Sequence, residues 1–239
     1  MIKKVIITRE GNKFYIEDIS RDYHCQFGVV KKQDFKKSKV KTNTGKELFI
    51  IPAGKIDNYK RLKRGAQIIL LKDLGVILAE TGINKDSVVV DAGAGSGAAA
   101  IFFSTYVKKV YTFDNDDRSL ELTKENIAKL GIKNIIVKKQ DVCKNIPVKN
   151  ADLVLLDVPE PWRGLKNAEK ALKTGGFLVC YCPQIAQIQQ TVKHLPDAFL
   201  LDKVLENMQR PWHISELQTR PSSKAIGHTG FLMFARKIA

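Results

Sequence analysis

Long apolar runs are missing from this sequence. No stretch approaches the ~18 uninterrupted apolar residues that a membrane-spanning helix needs. Yet 44% of the 239 residues are hydrophobic, enough for a sizeable buried core. The start, MIKKVIITREGNKFY, turns polar before any segment long enough for a secretory leader, so a cytoplasmic protein is expected. Cysteine is scarce: Cys25, Cys143, Cys180 and Cys182 form no C-x-x-C pair and no ligand cluster, so no metal site is expected. Cys180 and Cys182 flank Tyr181 in an apolar run and read as small buried strand residues. Repeats and low-complexity segments are absent too.

Acidic residues are outnumbered, 25 against 40 Lys and Arg, and the formal net charge of +15 suits a polyanionic partner. Nucleic acid is the natural one; a lysine-rich solvated surface is the competing explanation. The charge is concentrated in Lys31-Lys32, Lys36-Lys37, Lys39, Lys41, Lys46, Lys55, Lys60-Arg61 and Lys63-Arg64, interleaved with Phe35, Phe49 and Tyr59. Such a face offers phosphate contacts and, through its aromatics, base stacking.

The rhythm of the chain changes near residue 62. Residues 1–62 hold short apolar stretches (Val5–Ile7, Phe14–Ile16, Phe27–Val30, Leu48–Ile51) between Gly, Asn and Asp turns, which predicts a small all-β domain. Asn43-Thr44-Gly45 reads as a hairpin turn. Residues 63–239 alternate helix-length segments with β-rich runs, the pattern of a doubly wound α/β sheet. Strands are predicted at 88–90, 109–113, 135–137, 153–156, 177–181, 200–207 and 230–235, the last two as an antiparallel edge. Helices are expected over Arg118–Lys129 and Trp162–Lys173.

The sharpest motif is Val88-Val89-Val90-Asp91-Ala92-Gly93-Ala94-Gly95-Ser96-Gly97, a buried strand running into a glycine turn and then the small residues Ala98-Ala99-Ala100. Glycines suit a backbone that must turn sharply and meet a ligand without Cβ interference. Two cofactors use such a loop. Gly93, Gly95 and Ala98 satisfy the dinucleotide pattern G-x-G-x-x-G/A, whereas the acid two residues before the first glycine, Asp91, favours S-adenosylmethionine. Either cofactor calls for an acid after the second strand to accept from ribose hydroxyls, and Asp114 stands there. Asp116 and Asp117 read as helix-start acids. Asp141, after the third strand, is placed either to meet an adenine amino group or to cap a turn.

After the fourth strand comes Asp157-Val158-Pro159-Glu160-Pro161-Trp162, an acid at the carboxyl end of a central strand, then two prolines and an aromatic able to wall a pocket. This motif combines with Arg64-Gly65-Ala66-Gln67-Ile68-Ile69, with Tyr181-Cys182-Pro183 to Gln187, and with Arg220-Pro221 to Gly227-His228-Thr229-Gly230-Phe231-Leu232. Together they resemble the tRNA (adenine-58-N1)-methyltransferase family of archaeal and bacterial type. The similarity spans about residues 63–237, and the small β-rich N-terminal domain has a counterpart in that family.

The resemblance implies a class I methyltransferase, a Rossmann-like sheet of seven strands. It implies S-adenosylmethionine as cofactor, tRNA as partner and a homotetramer. It assigns cofactor contacts to Asp91, Gly93, Ala94, Gly95, Ser96, Gly97, Asp114, Asp141 and Asp157, with Asp157 also at the methyl-transfer site. One departure is visible: Leu70-Leu71 precede Lys72-Asp73 where the family carries Tyr-Pro, so an aromatic near the cofactor is missing. Arg163, Arg210 and Arg220 are candidate phosphate contacts. His228 reads as a hydrogen-bonded turn residue shaping the pocket or as a subunit contact, with catalysis the alternative, and Trp212 as a core residue, with base stacking the alternative. Competing readings are a methyltransferase of small molecules or proteins, a non-catalytic RNA-binding subunit and a nicotinamide oxidoreductase.

Overall fold

The computed structural model describes residues 1–65 and 67–239; Ala66, in the Arg64–Ile69 segment, lies outside the described residues. Two units form, Met1–Leu62 and Lys63–Ala239.

The first unit contains β1 (Lys4–Ile7), β2 (Lys13–Ile16), β3 (Tyr23–Cys25), β4 (Gly28–Val30), β5 (Lys39–Lys41), β6 (Glu47–Pro52) and the short helix α1 (Lys55–Tyr59). Four strands make an antiparallel sheet in the order β2-β1-β6-β5, and β3 pairs with β4 as a separate hairpin. Strand alternation sorts the side chains: Val40 is buried while its neighbours Lys39 and Lys41 face water. Ile6, Ile16, Val30, Phe35, Val40, Leu48 and Ile50 form the core. The Asn43–Gly45 turn joins β5 to β6, closed by Thr42 N–H on Lys46 O and Gly45 N–H on Thr42 O, both 3.0 Å.

Two of the aromatics expected to stack on bases are unavailable. Phe35 is 2% exposed because the small sheet needs it to complete its core, and Tyr59 on α1 is 6% exposed. Phe49 is half-buried, with Arg9 and Lys39 over its ring at 5.4 and 5.9 Å.

The second unit runs α2 (Leu71–Thr81), β7 (Val88–Ala92), α3 (Ala98–Ser104), β8 (Lys109–Asp114), α4 (Asp117–Leu130), β9 (Ile135–Lys139), β10 (Ala151–Leu156), α5 (Leu165–Ala171), β11 (Leu172–Cys182), α6 (Ile185–Lys193), β12 (Phe199–Glu206), β13 (Trp212–Ile214), β14 (Thr219–Pro221) and β15 (Phe231–Lys237). Seven strands form one sheet in the order β12-β15-β11-β10-β7-β8-β9. In β10 Leu153, Val154, Leu155 and Leu156 are all fully buried, as befits a central parallel strand covered on both faces. Strand order reverses between β7 and β10, and that switch point opens a crevice beyond their carboxyl ends.

The last two predicted strands form the antiparallel edge of the sheet: β12 is outermost and β15 lies between it and β11, antiparallel to both. The fully buried Leu232, Met233, Phe234 and Ala235 of β15 explain its interior place. Two expectations need correction. The helix expected over Trp162–Lys173 is a 3-10 turn, Pro161–Arg163, followed by α5, and Leu172 already pairs with Ala151 in the sheet. Trp212 is 54% exposed, not a core residue, with the Arg210 guanidinium 5.6 Å from its ring centre. It lies on the β13–β14 hairpin together with exposed Ile214 and Leu217.

Candidate active site

The glycine turn is built by backbone ties beyond the strand ends. Gly93 and Ala94 donate N–H bonds of 2.9 and 3.0 Å to Phe113 O at the end of β8, and Asp157 N–H donates to Ala92 O at 2.8 Å. Gly93 has φ +102°, and any Cβ there would overlap the Asp157 carbonyl. Gly95, at φ +53°, has open space where a Cβ would stand. From α4, Thr123 donates to Gly95 O at 3.1 Å and Asn126 to Ser96 O at 2.9 Å, which fixes the loop carbonyls on the helix side. These two polar residues follow Leu120 at three-residue intervals on the buried stripe of α4, so the signal for them in the sequence is a polar side chain on an otherwise apolar helical face.

Three carboxylates converge. Asp91 is fully buried; Thr112 donates to its Oδ2 at 2.8 Å, while its Oδ1 has no hydrogen-bond partner among the described residues. Burial lifts its carboxyl to about 7, with the Asp114 charge adding and the Thr112 hydrogen bond opposing. Asp157 is pushed up to about 7 by burial first and then by the charges of Asp91 and Asp114. Asp114, more exposed, accepts Gly95 N–H and Asp116 N–H, both at 3.0 Å. An under-bonded buried carboxyl beside two further acids suits a proton or a cationic group.

Gly93, Asp114, Asp141 and Asp157 line a cavity of about 350 Å³, within the ~300–1,000 Å³ usual for small-ligand sites. Val158, Pro159, Glu160, Arg163 and Cys143 complete much of its wall. Asp91, Ala94, Ser96 and Gly97 are buried and outside that lining, so any part they play runs through backbone or charge. Asp141 does both things expected of it: its Oδ1 accepts Cys143 N–H at 2.9 Å to cap a turn, and it faces the cavity. Trp162 is not in the lining; it packs against the main core, and Arg163, paired to Glu160 at 2.8 Å, takes the place at the rim.

Behind the site lies a second buried polar group, which joins Lys72-Asp73 to Thr229 of the Gly227–Leu232 motif. Lys72 Nζ binds Asp73 Oδ1 at 2.7 Å and Thr229 Oγ1 at 2.7 Å, and the Thr229 hydroxyl donates to Asp73 Oδ2 at 2.8 Å. Asp73 is fully buried, so removing either partner would strand a charge at a cost of ~3–5 kcal/mol. Tyr181 O–H donates to Thr229 O at 2.6 Å.

Comparison with known proteins agrees with this geometry. Residues 59–219 match the family model described as tRNA methyltransferase complex GCD14 subunit. Among relatives, the tRNA (adenine(57)-N(1)/adenine(58)-N(1))-methyltransferase TrmI of Methanocaldococcus jannaschii is 30% identical over 98% of this chain and 94% of its own. The tRNA (adenine(58)-N(1))-methyltransferase TrmI of Thermus thermophilus is 28% identical over 83% of this chain and 80% of its own. Among solved structures, a SAM-dependent O-methyltransferase from Thermotoga maritima superposes with a TM-score of 0.88 and 26% identity, covering 100% of this chain and 93% of that one. A tRNA (m1A58) methyltransferase TrmI from Aquifex aeolicus shares the fold at TM-score 0.83, 24% identity and 99% and 97% coverage. The glycine turn, the seven-stranded sheet and these matches together make the chain a member of the tRNA methyltransferase complex GCD14 subunit family.

Proposed function

We propose that this protein transfers a methyl group from S-adenosylmethionine to N1 of adenine 58 in the T-loop of tRNA, in the cytoplasm. The observation that carries the reading is the acid-lined cavity at the switch point of a chain from this family. Buried Asp91, with one oxygen unpartnered, suits the ammonium of the cofactor's amino-acid part. Within the turn from Gly93 to Gly97, Gly95 has open space where a ligand can approach the backbone, Asp114 suits the cofactor's ribose hydroxyls and Asp141 its adenine amino group. The cofactor supplies an electrophilic methyl on a sulfonium, so the protein needs no metal for the transfer.

N1 of neutral adenine already carries a nucleophilic lone pair, so the protein's task is orientation and charge stabilisation. Methylation makes the base cationic. Asp157, at the end of β10, accepts a hydrogen bond from the exocyclic amine and stabilises the charge as it develops. N1 lies on the pairing edge, so the nucleotide must leave its stack to enter the cavity, and Arg163 at the rim is placed to hold a phosphate as it does.

The basic first unit supports RNA binding through charge more than stacking. Several of its lysines already pair with acids, Lys31 with Asp22, Lys37 with Asp34 and Lys39 with Glu47. Exposed pairs of this kind are worth only ~0–1 kcal/mol, so the lysines can exchange a carboxylate for a phosphate at little cost. A homotetramer is proposed on the family resemblance, and the exposed apolar residues of the β13–β14 hairpin, Trp212, Ile214 and Leu217, offer apolar area for a subunit contact.

The test is incubation with an unmodified tRNA transcript and labelled S-adenosylmethionine, followed by mass-spectrometric mapping of the modified nucleoside. 1-Methyladenosine at position 58 supports the proposal, and mapping also reads position 57. Label on another base, or on none, overturns it.

A further inference from the structure

The segment before β15 packs three consecutive residues against the site, each in a different way. His228 stands between two acceptors: Nδ1 is 2.6 Å from Glu206 Oε1 at the end of β12, and Nε2 is 2.8 Å from Pro183 O just after β11. Thr229 joins the Lys72–Asp73 pair through its hydroxyl and receives the Tyr181 hydroxyl on its carbonyl. Gly230 lies against the phenol end of Tyr181, and a Cβ there would come within 2.6 Å of the ring Cζ. The Asp157 charge reaches Tyr181 and helps to lift its hydroxyl to about 12, after burial and Asp73. Tyr181 therefore sits in the electrostatic field of the site, and residues 228–230 decide where its ring lies.

A neutral imidazole has one N–H and one lone pair, and a lone pair cannot face an oxygen at hydrogen-bond distance without repulsion. Both neighbours of His228 are acceptors, a backbone carbonyl and a carboxylate oxygen. The geometry is satisfied only by a cation donating from both ring nitrogens. We propose that His228 is a positioning residue whose imidazolium form ties residues 228–230 to Glu206 and Pro183, and through Thr229 and Gly230 holds Tyr181 within reach of the Asp157 charge. The charged groups facing the ring are Glu206 on β12, which favours the cation, and Lys72 on α2, which opposes it. Their balance, with Pro183 O accepting, raises the pKa of His228. Phe231 covers the ring with centroids 4.9 Å apart. The clamp holds below the raised pKa of His228. It loses one of its two bonds as pH rises through the raised value, because the deprotonated nitrogen can no longer donate.

Two-bond proton–nitrogen spectra of the full chain with labelled histidine read this directly. The chain has four histidines, and the signal missing in His228→Gln identifies the residue. Both ring nitrogens should be protonated, with a midpoint above the ordinary value of ~6.5; Glu206→Gln should move it down while the fold survives. In His228→Gln, which keeps one donor, the Tyr181 ring resonances should shift. The kinetic arm rests on the function proposed above. There turnover should fall about tenfold, inside the ~10²-fold that a 1 Å misplacement can cost, with cofactor affinity unchanged. The parent should lose turnover on the alkaline side at the midpoint of His228, and His228→Gln should not. A singly protonated His228 at about pH 6, or Tyr181 signals unmoved in the variant, overturns the proposal. So do parent-like turnover and pH dependence in His228→Gln. If no tRNA is methylated at all, the function fails and the two spectroscopic readings still decide the clamp.

Discussion

Replacing Gly93 by alanine tests the closest approach in the site. Two costs add. The residue sits at φ +102°, where a side chain strains the backbone by ~1–2 kcal/mol. The new Cβ would also overlap the Asp157 carbonyl oxygen and lie 3.0 Å from its carbon, so the β10 end must retreat by about 1 Å, an overpacking cost of ~1–3 kcal/mol. The sum, ~2–5 kcal/mol, is a large share of the ~5–15 kcal/mol that holds a domain together. At ~2–4 °C per kcal/mol for a unit of this size, melting should fall by roughly 4–20 °C. The displaced group carries Asp157, so turnover should drop by up to ~10²-fold beyond any loss of folded protein. Gly95→Ala is the control: its φ of +53° brings similar strain but its Cβ meets nothing within 4 Å, so stability should fall less and Asp157 should stay in place. Calorimetric melting and turnover per folded molecule, measured on both variants, decide the matter. A Gly93→Ala protein that melts within about 2 °C of the parent and turns over normally would refute the reasoning.

Asp157→Ala should retain cofactor binding and lose turnover by ~10²–10³-fold, the scale of one missing transition-state stabiliser. Asp157→Asn should be nearly as poor if the charge matters, and an active Asn variant would reduce the carboxylate to a positioning acceptor. Asp91 and Asp157 are held near 7, far above the unfolded value, so the folded chain keeps protons that the unfolded chain releases. Stability of the unliganded protein should therefore decline as pH climbs from about 4 to about 7, while affinity for S-adenosylhomocysteine, whose ammonium needs an ionised partner, should rise toward the upper end. Melting and calorimetric titrations across that range would contradict this if both were flat. Replacing Lys36, Lys37 and Lys39 together by alanine should weaken tRNA binding and lower the slope of log affinity against log salt by about one for each phosphate left without its lysine. The partners left behind, Asp34 and Glu47, would add repulsion, and an unchanged slope would place the RNA on another surface.

The sequence alone determined the period and chemistry of each segment, because these are local properties. Alternation over residues 1–62 and the β-rich runs beyond them named the seven strands of the main sheet and most of the smaller one but not β3, β13 or β14, and a strand entering glycines with acids at successive strand ends named Asp91, Asp114 and Asp157. What those acids share was decided only in three dimensions. They stand far apart along the chain, and the parallel register of β10, β7 and β8 brings their ends to one crevice, where burial and mutual repulsion lift two of them to about 7. Tertiary packing also decided that β15 lies between β11 and β12, that Phe35 serves a core, that Tyr59 is buried and that Trp212 faces water. Lys72-Asp73 and His228-Thr229 stood in motifs of the sequence, but their pairing did not, because their partners lie on other elements and hydrogen bonds between distant segments leave no period in a sequence.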